Sequence, residues 1–543
     1  MLALANIIVM NAFANEGVRE TLMKRAAFFA LCLIPTVSAW AIAPSPLPQP
    51  LPPLRMPAAA RQSPVLNARA MPARFDFASA RQQAPARIQP QRPGSIQALA
   101  TPVGTYRATN DTNQDIEPAI ITGSFSGSTR TTVAFTKYIN TSNPVNYWTT
   151  TTDFVNFGGA PTGWQLPLPS GTTRSSDPML SENPYSNAPF PNRTYCSGVA
   201  ANADLSYTAV VVWYSDYPAG EFAWTPLVLA AGNGVSYDKP SIATSWNPGS
   251  RGYTYVAAMA RVSGTTKIQL YRQTTTLGFT AVGHIDNLPT GATSPIVVVD
   301  SDSSNSGDVY VLWIDASNQV IQIARSTDMG NTFGTPVSTP TTAAMSGPGA
   351  SICNWANPNN CARGESVIMA KLNPADRSIG VVWHLHETDN SHTDVGFNSF
   401  LLTSRVGLPA LSWRWWRGVQ VGHPGANDGR DQWNPALAPS SDGSYMMTWY
   451  DKRNDPAGNA YQVFAVRTLA DGTPIDGADT LIYNASAAAN ITLLPQLSIP
   501  GNPTQAYMGE YQDVWEWYGT WYGATTYIDS SGQQDIYIMK ITQ

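Results

Sequence analysis

The sequence predicts an all-β protein, and three observations carry that prediction. From about Ile96 onward, apolar residues rarely recur at helical spacing. Short runs rich in Val, Ile, Thr, Tyr and Trp instead alternate with clusters of Gly, Pro, Asn, Asp and Ser, the pattern of short antiparallel strands joined by turns. Second, a polar or acidic cluster, usually followed by Pro, leads straight into an apolar strand, and this start recurs seven times. Third, each start is followed by a strand that closes on an aromatic residue and often an acid.

The starts, in chain order, are "IEPAIITG" at Glu117, "SDPMLSEN" at Asp177, "DKPSIATS" at Asp238, "TSPIVVVD" at Ser294, "GESVIMAK" at Glu365, "WNPALAPS" at Asn434 and "MGEYQDVW" at Glu510. The strands that answer them are "TTVAFTKY", "AVVVWYSD", "TYVAAMAR", "VYVLWIDA", "IGVVWHLH", "YMMTWYDK" and "GATTYIDS". A third strand follows in several units, as in "QVIQIARSTDMGNTF" and "YQVFAVRTLADGTP". Radial repetition of such sheets lets a long all-β chain protect its edges. A β-propeller over residues 96–543 is therefore expected. Seven starts favour seven blades, with six as the alternative because the outer strands are eroded. The last unit shows three strands, so a strand around Ile96–Ala108 is expected to complete it and close the ring.

Upstream of the repeats the sequence reads as processing signal and linker. Met23-Lys24-Arg25 opens a short positive region, Ala26 to Val37 is apolar, and Ala39-Trp40-Ala41 fits a small-x-small cleavage site. Export with a cut after Ala41 is expected, with Met23 as the natural start, residues 1–22 as a gene-model extension, and no stable membrane span after cleavage. That places the protein outside the cytoplasm, secreted or periplasmic. Residues 42–95, rich in Pro, Ala, Gln and Arg, bury too little apolar surface to offset their ordering entropy and read as a disordered linker or propeptide. Loss of the signal removes Cys32 and leaves Cys196, Cys353 and Cys361. Cys353 and Cys361 flank the tight excursion "NWANPNN" and are the expected disulfide; Cys196 is expected as a buried free thiol.

Composition excludes one large class. A formal net charge of −5 and five His leave no broad basic footprint for nucleic acid. The 17 Trp and 23 Tyr instead supply core and stacking surface.

One hairpin is specific enough to suggest a family. "RSTDMGNTF" fits the pattern S/T-x-D-x-G-x-T-F/W, and "TTTDFVNF" and "RQTTTLGFT" read as eroded copies. This segment resembles the Asp box of bacterial sialidase-like β-propellers, and the resemblance covers most of residues 100–543. It implies a structural turn built from Ser326, Asp328, Gly330, Thr332 and Phe333. Sialidases of that family hold the sugar carboxylate with three arginines and use a Tyr with a Glu partner and an Asp acid/base. No Arg-Ile-Pro motif occurs in this sequence, which counts against strict sialidase activity.

Strand entries and second-strand exits are expected to share one rim. The entry acids are Glu117, Asp177, Asp238, Glu365, Asp431 and Glu510, and the exit acids are Asp216, Asp315, Glu387, Asp451 and Asp529. Paired carboxylates on such a rim can serve as acid and base in glycoside hydrolysis. "WYDKRNDP" and "GEYQDVWEWYGTWY" are the densest patches, and they nominate Asp451, Arg453, Glu510 and Tyr511 as catalytic. Asp177, Asp238, Glu365, His384, His386, Asp431 and Trp515 are nominated for substrate contact. "VVWHLHETDNSH" opens a different chemistry, since His384 and His386 share a strand face and could act as acid and base in a polysaccharide lyase. No cofactor motif is visible, and a structural cation such as calcium is compatible with the acidic rim. The expected partner is a glycan and the expected state a monomer, with a non-catalytic binding propeller as the opposing reading.

Overall fold

The computed structural model describes residues 101–542 apart from internal stretches, the longest of which are 184–192, 340–350, 402–418, 421–430 and 484–495. The expected signal segment, linker and natural start lie outside the described residues, as do Glu365 and Glu387. Every regular element described is a strand.

Six four-stranded sheets are up-and-down meanders covering 114–165, 174–233, 235–288, 292–338, 368–420 and 432–483. A seventh holds Asp513–Trp517, Thr520–Ile528 and Gln534–Thr542, and its fourth, outermost strand is Thr101–Arg107 from the other end of the chain. In each of the seven the first strand, or Asp513–Trp517 in the last, touches the first strand of the next sheet, and the seventh returns to the first. The molecule is thus an all-β propeller. Closure by Thr101–Arg107 follows the expectation for the N-terminal strand. It pairs Thr105 with Met539 and Arg107 with Tyr537, and so covers the edge that the strand Gln534–Thr542 would otherwise expose.

An eighth, smaller sheet combines two insertions. Ser351–Asn354 and Asn357–Arg363 come from the link before the fifth sheet, and Gln496–Leu497 and Gln505–Ala506 from the link before the seventh. They meet through a parallel pairing of Ala362 with Ala506. Cys353 lies directly opposite Cys361 in the register of this hairpin; their side chains lie outside the described residues. Cys196 is buried and free, packed with Ala119, Leu180 and Trp213.

Large apolar side chains fill the space between neighbouring sheets. Trp433, Tyr450 and Tyr461 pack with Trp521, Met539 and Ile541 across the sixth and seventh sheets. Each fully buried ring or aliphatic chain of this kind contributes on the order of 2 to 3 kcal/mol.

One backbone device recurs and positions the site. Five first strands carry a β-bulge at the same place, between Ile116 and Ala119, Ser176 and Met179, Asp238 and Ser241, Thr293 and Ile296, and Trp433 and Ala436. At each bulge the residue before Pro has positive φ: Glu117 at 55°, Asp177 at 56°, Lys239 at 44°, Ser294 at 52° and Asn434 at 47°. Proline disfavours the right-handed helical region for the residue before it, so the positive φ belongs to the bulge, which re-aims a side chain without ending the strand. Each left-handed non-glycine residue costs on the order of 1 kcal/mol or more. The same cost is accepted five times at one level of the ring.

Candidate axial site

The bulges bring charged side chains from different sheets together at the end of the molecule where the first strands begin. Glu117 of the first sheet, Asp177 of the second and Glu510 at the entry to the seventh each place a carboxylate oxygen within 4.8 Å of the other two. Lys239 of the third sheet sends its ammonium to Glu510 Oε2. The Tyr507 hydroxyl donates to Glu117 Oε1, and the Tyr511 hydroxyl donates to Asp177 Oδ1 at 3.3 Å. Glu117, Lys239, Tyr507, Glu510 and Tyr511 are buried and Asp177 is half-buried.

The segment that supplies Tyr507, Glu510 and Tyr511 follows directly from the paired residue Ala506, and Tyr507 packs with Ile116, Tyr138 and Leu497. Gly509 has φ of 91°, and a Cβ there would lie 2.8 Å from the Glu117 side chain and 2.9 Å from its backbone nitrogen. Glycine is what lets this segment pass so close to Glu117. Asn434, at the sixth sheet's bulge, donates through Nδ2 to the Gly509 carbonyl at 3.0 Å, and Gln512 Nε2 donates to the Asn434 carbonyl at 2.7 Å.

Burial pushes the Tyr511 phenol well above its usual pKa, and the neighbouring Asp177, Glu117 and Tyr507 push it further the same way. It is therefore a neutral donor at ordinary pH. Burial likewise raises Asp513, against the attraction of Lys371, whose ammonium is 3.8 Å from Asp513 Oδ1 and 5.6 Å from the centre of the Trp515 ring. Asp513 Oδ2 also accepts the Ile120 N–H at 3.2 Å, one level further along the axis. Two or three close carboxylates with hydroxyl donors can protonate a leaving group, stabilise positive charge or hold a hard cation. The trio is the set of described residues whose oxygens are close enough for the cation that the acidic rim suggests.

The structure redistributes the residues nominated from sequence. Glu510, Tyr511 and Asp177 meet at the axis. Asp238 does not: the residue before Pro240 is Lys239, and Asp238 pairs outward with Arg261 at 2.8 Å. Asp431 is buried against Lys452 at 2.8 Å, and that ammonium lies 5.7 Å from the Trp433 ring centre. Asp451 accepts Trp449 Nε1 at 2.9 Å, the Arg453 N–H at 2.7 Å and Arg453 Nε at 2.8 Å. The Arg453 guanidinium also covers Phe464 at 4.1 Å. The patch "WYDKRNDP" thus spends these polar groups on its own turn. His384 is buried, with Nδ1 accepting the Asn434 N–H at 3.4 Å; the His386 side chain lies outside the described residues. Trp515 is partly buried beside Lys371.

The exit acids divide as well. Asp315 caps its turn through Asn318, and Asp529 caps its own through Ser531 and Gln533. Asp216 sits at the opposite end of the ring from the entries. In the second sheet Arg193–Ala201 takes second place, "AVVVWYSD" becomes the third strand, and Asp216 faces Arg193 in the register. Lys239 and Tyr507 were not nominated, although the x-Pro position that selects Glu117 and Asp177 also selects Lys239.

The turn at Asp328 lies between the third and fourth strands of the fourth sheet. Asp328 accepts Thr332 N at 2.9 Å, Thr332 Oγ1 at 2.6 Å and Ser326 Oγ at 2.7 Å, while Ser326 Oγ accepts Gly330 N at 2.8 Å. Phe333 packs on the core between the third and fourth sheets. The corresponding turn of the first sheet uses Asp153 on Val155 N at 2.9 Å and Asn156 N at 2.8 Å.

No protein-family model matches the chain, and no curated protein matches it. Among solved structures it is similar to an α-L-arabinanase of Penicillium chrysogenum complexed with arabinobiose, at 8% identity and TM-score 0.40, covering 81% of this chain and 98% of that one. It is also similar to an α-L-arabinofuranosidase of Fusarium graminearum with arabinobiose, at 12% identity and TM-score 0.37, covering 69% and 99%. A Trypanosoma rangeli sialidase matches at 9% identity and TM-score 0.35, covering 79% and 53%. None of these likenesses is close enough to carry an activity across. Among the described residues no helix is long and apolar enough to cross a membrane.

Proposed function

We propose that this protein is an exported propeller that acts on a glycan at the axial end where the first strands begin, as a glycoside hydrolase using Glu117, Asp177 and Glu510. The observation that carries the reading is the convergence of three carboxylates to within 4.8 Å, two of them, Glu117 and Asp177, at bulges that cost backbone strain to maintain, and the third, Glu510, just ahead of the strand Asp513–Trp517. Strain concentrated at one site supports a functional role for that site. Carboxyl groups this close fit the roughly 5 to 5.5 Å separation of retaining glycosidases, whereas inverting enzymes hold theirs about 6.5 to 9.5 Å apart. Asp177, the most accessible of the three, is the group that reaches substrate. Tyr511 donates to it as a neutral phenol and favours its ionised form.

The test is a product assay of the protein on arabinobiose, other neutral glycosides, sialosides and uronic-acid polysaccharides, with Asp177→Asn, Glu510→Gln and Glu117→Gln alongside. The reading expects reducing sugar of retained configuration by NMR, and a loss of about a hundredfold or more in kcat on removing a catalytic carboxylate. Unsaturated product would point to His384 instead. The burial of Glu117 and Glu510 favours one second reading, a binding propeller whose axial pairs lock the ring. Sugar binding without turnover, unaffected by Glu510→Gln, would select it.

A further inference from the structure

Residues 507–512 carry Tyr507, Glu510 and Tyr511 to the axis, yet they belong to no strand. Buried backbone outside a ladder must find its hydrogen bonds elsewhere. Two carbonyls of this segment are taken by side-chain amides from the flanking sheets. Asn434 Nδ2 donates to the Gly509 carbonyl at 3.0 Å. Gln534 Nε2 donates to the Tyr507 carbonyl at 2.8 Å, and the Gln534 N–H is itself anchored on Gln114 Oε1 at 3.0 Å. Asn434 and Gln534 are both buried. Asn434 sits at the bulge of the sixth sheet, where the register passes from Trp433 opposite Tyr450 to Ala436 opposite Thr448, so its own backbone groups stand outside the ladder. Its N–H goes to His384 Nδ1 at 3.4 Å, and its carbonyl accepts Gln512 Nε2 at 2.7 Å. One residue thus grips the segment on both sides of Glu510, at Gly509 and at Gln512, and is tied in turn to the fifth sheet.

We propose that Asn434 and Gln534 are positioning residues that fix Glu510 and Tyr511 at the axis by clamping the segment between them. A reacting carboxylate is useful only if its geometry is held closely, by partners that are themselves locked in place. The Lys239 ammonium that reaches Glu510 is a compact point charge on a flexible stem and sets distance better than direction. The amides supply the direction, because each donates along a fixed line to a backbone carbonyl. Asparagine suits the sixth bulge for two reasons. It tolerates the left-handed backbone, here φ of 47°, and its side chain can donate where an aspartate of the same shape could only accept. The sixth sheet therefore spends its bulge residue on holding the site, whereas the first and second spend theirs on carboxylates. His384 is the far anchor of the clamp, accepting through Nδ1, which accordingly carries no proton.

This inference rests on the glycan reading for its catalytic meaning, but its first test needs no sugar. Hydrogen exchange followed by mass spectrometry on the full chain would compare the wild type with Asn434→Gly, Asn434→Asp and Gln534→Leu. Glycine takes the left-handed backbone at no steric cost, so Asn434→Gly isolates the loss of the amide. Exchange over 507–512 should quicken about tenfold or more in both Asn434 variants, while Tyr445–Asp451 and Thr520–Ile528 stay protected. In the product assay described above, the same variants should lower kcat about tenfold or more and leave KM within about twofold. Unchanged exchange over 507–512 would overturn the clamp. Loosening spread through the sixth and seventh sheets would overturn it too, since it would make Asn434 an ordinary structural residue. Faster exchange with an unchanged kcat would defeat the positioning role and leave the hydrolase standing. Should the Asn434 variants fail to fold, Gln534→Leu decides alone on the same readouts. A wild type that turns over no sugar would defeat the glycan reading by itself, and the exchange result would then decide whether the clamp holds the segment.

Discussion

At the scale of single residues, hydrogen bonding and burial pull carboxylates of this molecule in opposite directions, and each direction has a consequence for stability. Burial works to raise Asp328, but the bonds from Thr332, Ser326 and Asn331 outweigh it and hold the acid at about 2. A folded pKa below the unfolded value of 3.8 contributes stability above that value and loses it as pH falls through about 2. Asp328→Asn should therefore cost about 1 kcal/mol at pH 7 and progressively less as pH is lowered towards 2, measured by denaturant unfolding. Asp115 behaves oppositely. Burial lifts it from 3.8 to about 7 despite Lys137, whose ammonium lies 2.9 Å from Oδ1. Its contribution is complete below about 4 and is lost as pH rises through about 7. Relative to the wild type, Asp115→Asn should then gain stability as pH is raised from 4 to 8. Equal pH dependence of the two proteins would refute the assignment.

At the scale of elements, the N-terminal strand carries the ring's closure, and its removal is a sharp test. Thr101–Arg107 pairs along Gln534–Thr542, the Ala108 N–H reaches the Ile536 carbonyl at 2.8 Å, and Arg107 is paired with Asp535. Deleting residues 1–109 exposes a long unpaired edge and should lower the thermal midpoint and promote association. Deleting residues 1–95 should leave both unchanged. Light scattering during a thermal ramp distinguishes them. This strand was legible in the sequence because the last repeat visibly lacks one member, and the repeat itself was legible because strands and turns are local. The same logic explains where the reading of the rim failed. It chose acids near each strand start, whereas in the first three sheets the fold selects the residue immediately before proline; the two rules agree at Glu117 and Asp177 and part at Asp238 and Lys239, while Glu510, which precedes no proline, answers to the acid rule alone. In the second sheet an additional strand, Arg193–Ala201, shifted the assignment of "AVVVWYSD" and carried Asp216 to the other end. Tyr507 was beyond reach, since its partner Glu117 is 390 residues away and no local pattern encodes that contact.

At the scale of the whole molecule, the axial contacts tie sheets that are not neighbours. Lys239 joins the third sheet to the entry of the seventh, Tyr511 joins that entry to the second, and Lys371 reaches from the fifth to Asp513. Flat packing between adjacent sheets would hold such a ring pairwise; these contacts hold it across the middle. The Lys239–Glu510 pair is buried on both sides, so removing one charge should be far worse than removing both. Lys239→Met is expected to destabilise by about 3 kcal/mol or more, because it leaves the Glu510 carboxylate without its ammonium, and Lys239→Met with Glu510→Gln should recover a large part of that loss. Denaturant unfolding of the two single variants and the double variant gives the coupling directly. Strict additivity would mean that the pair does not bind the ring across its axis.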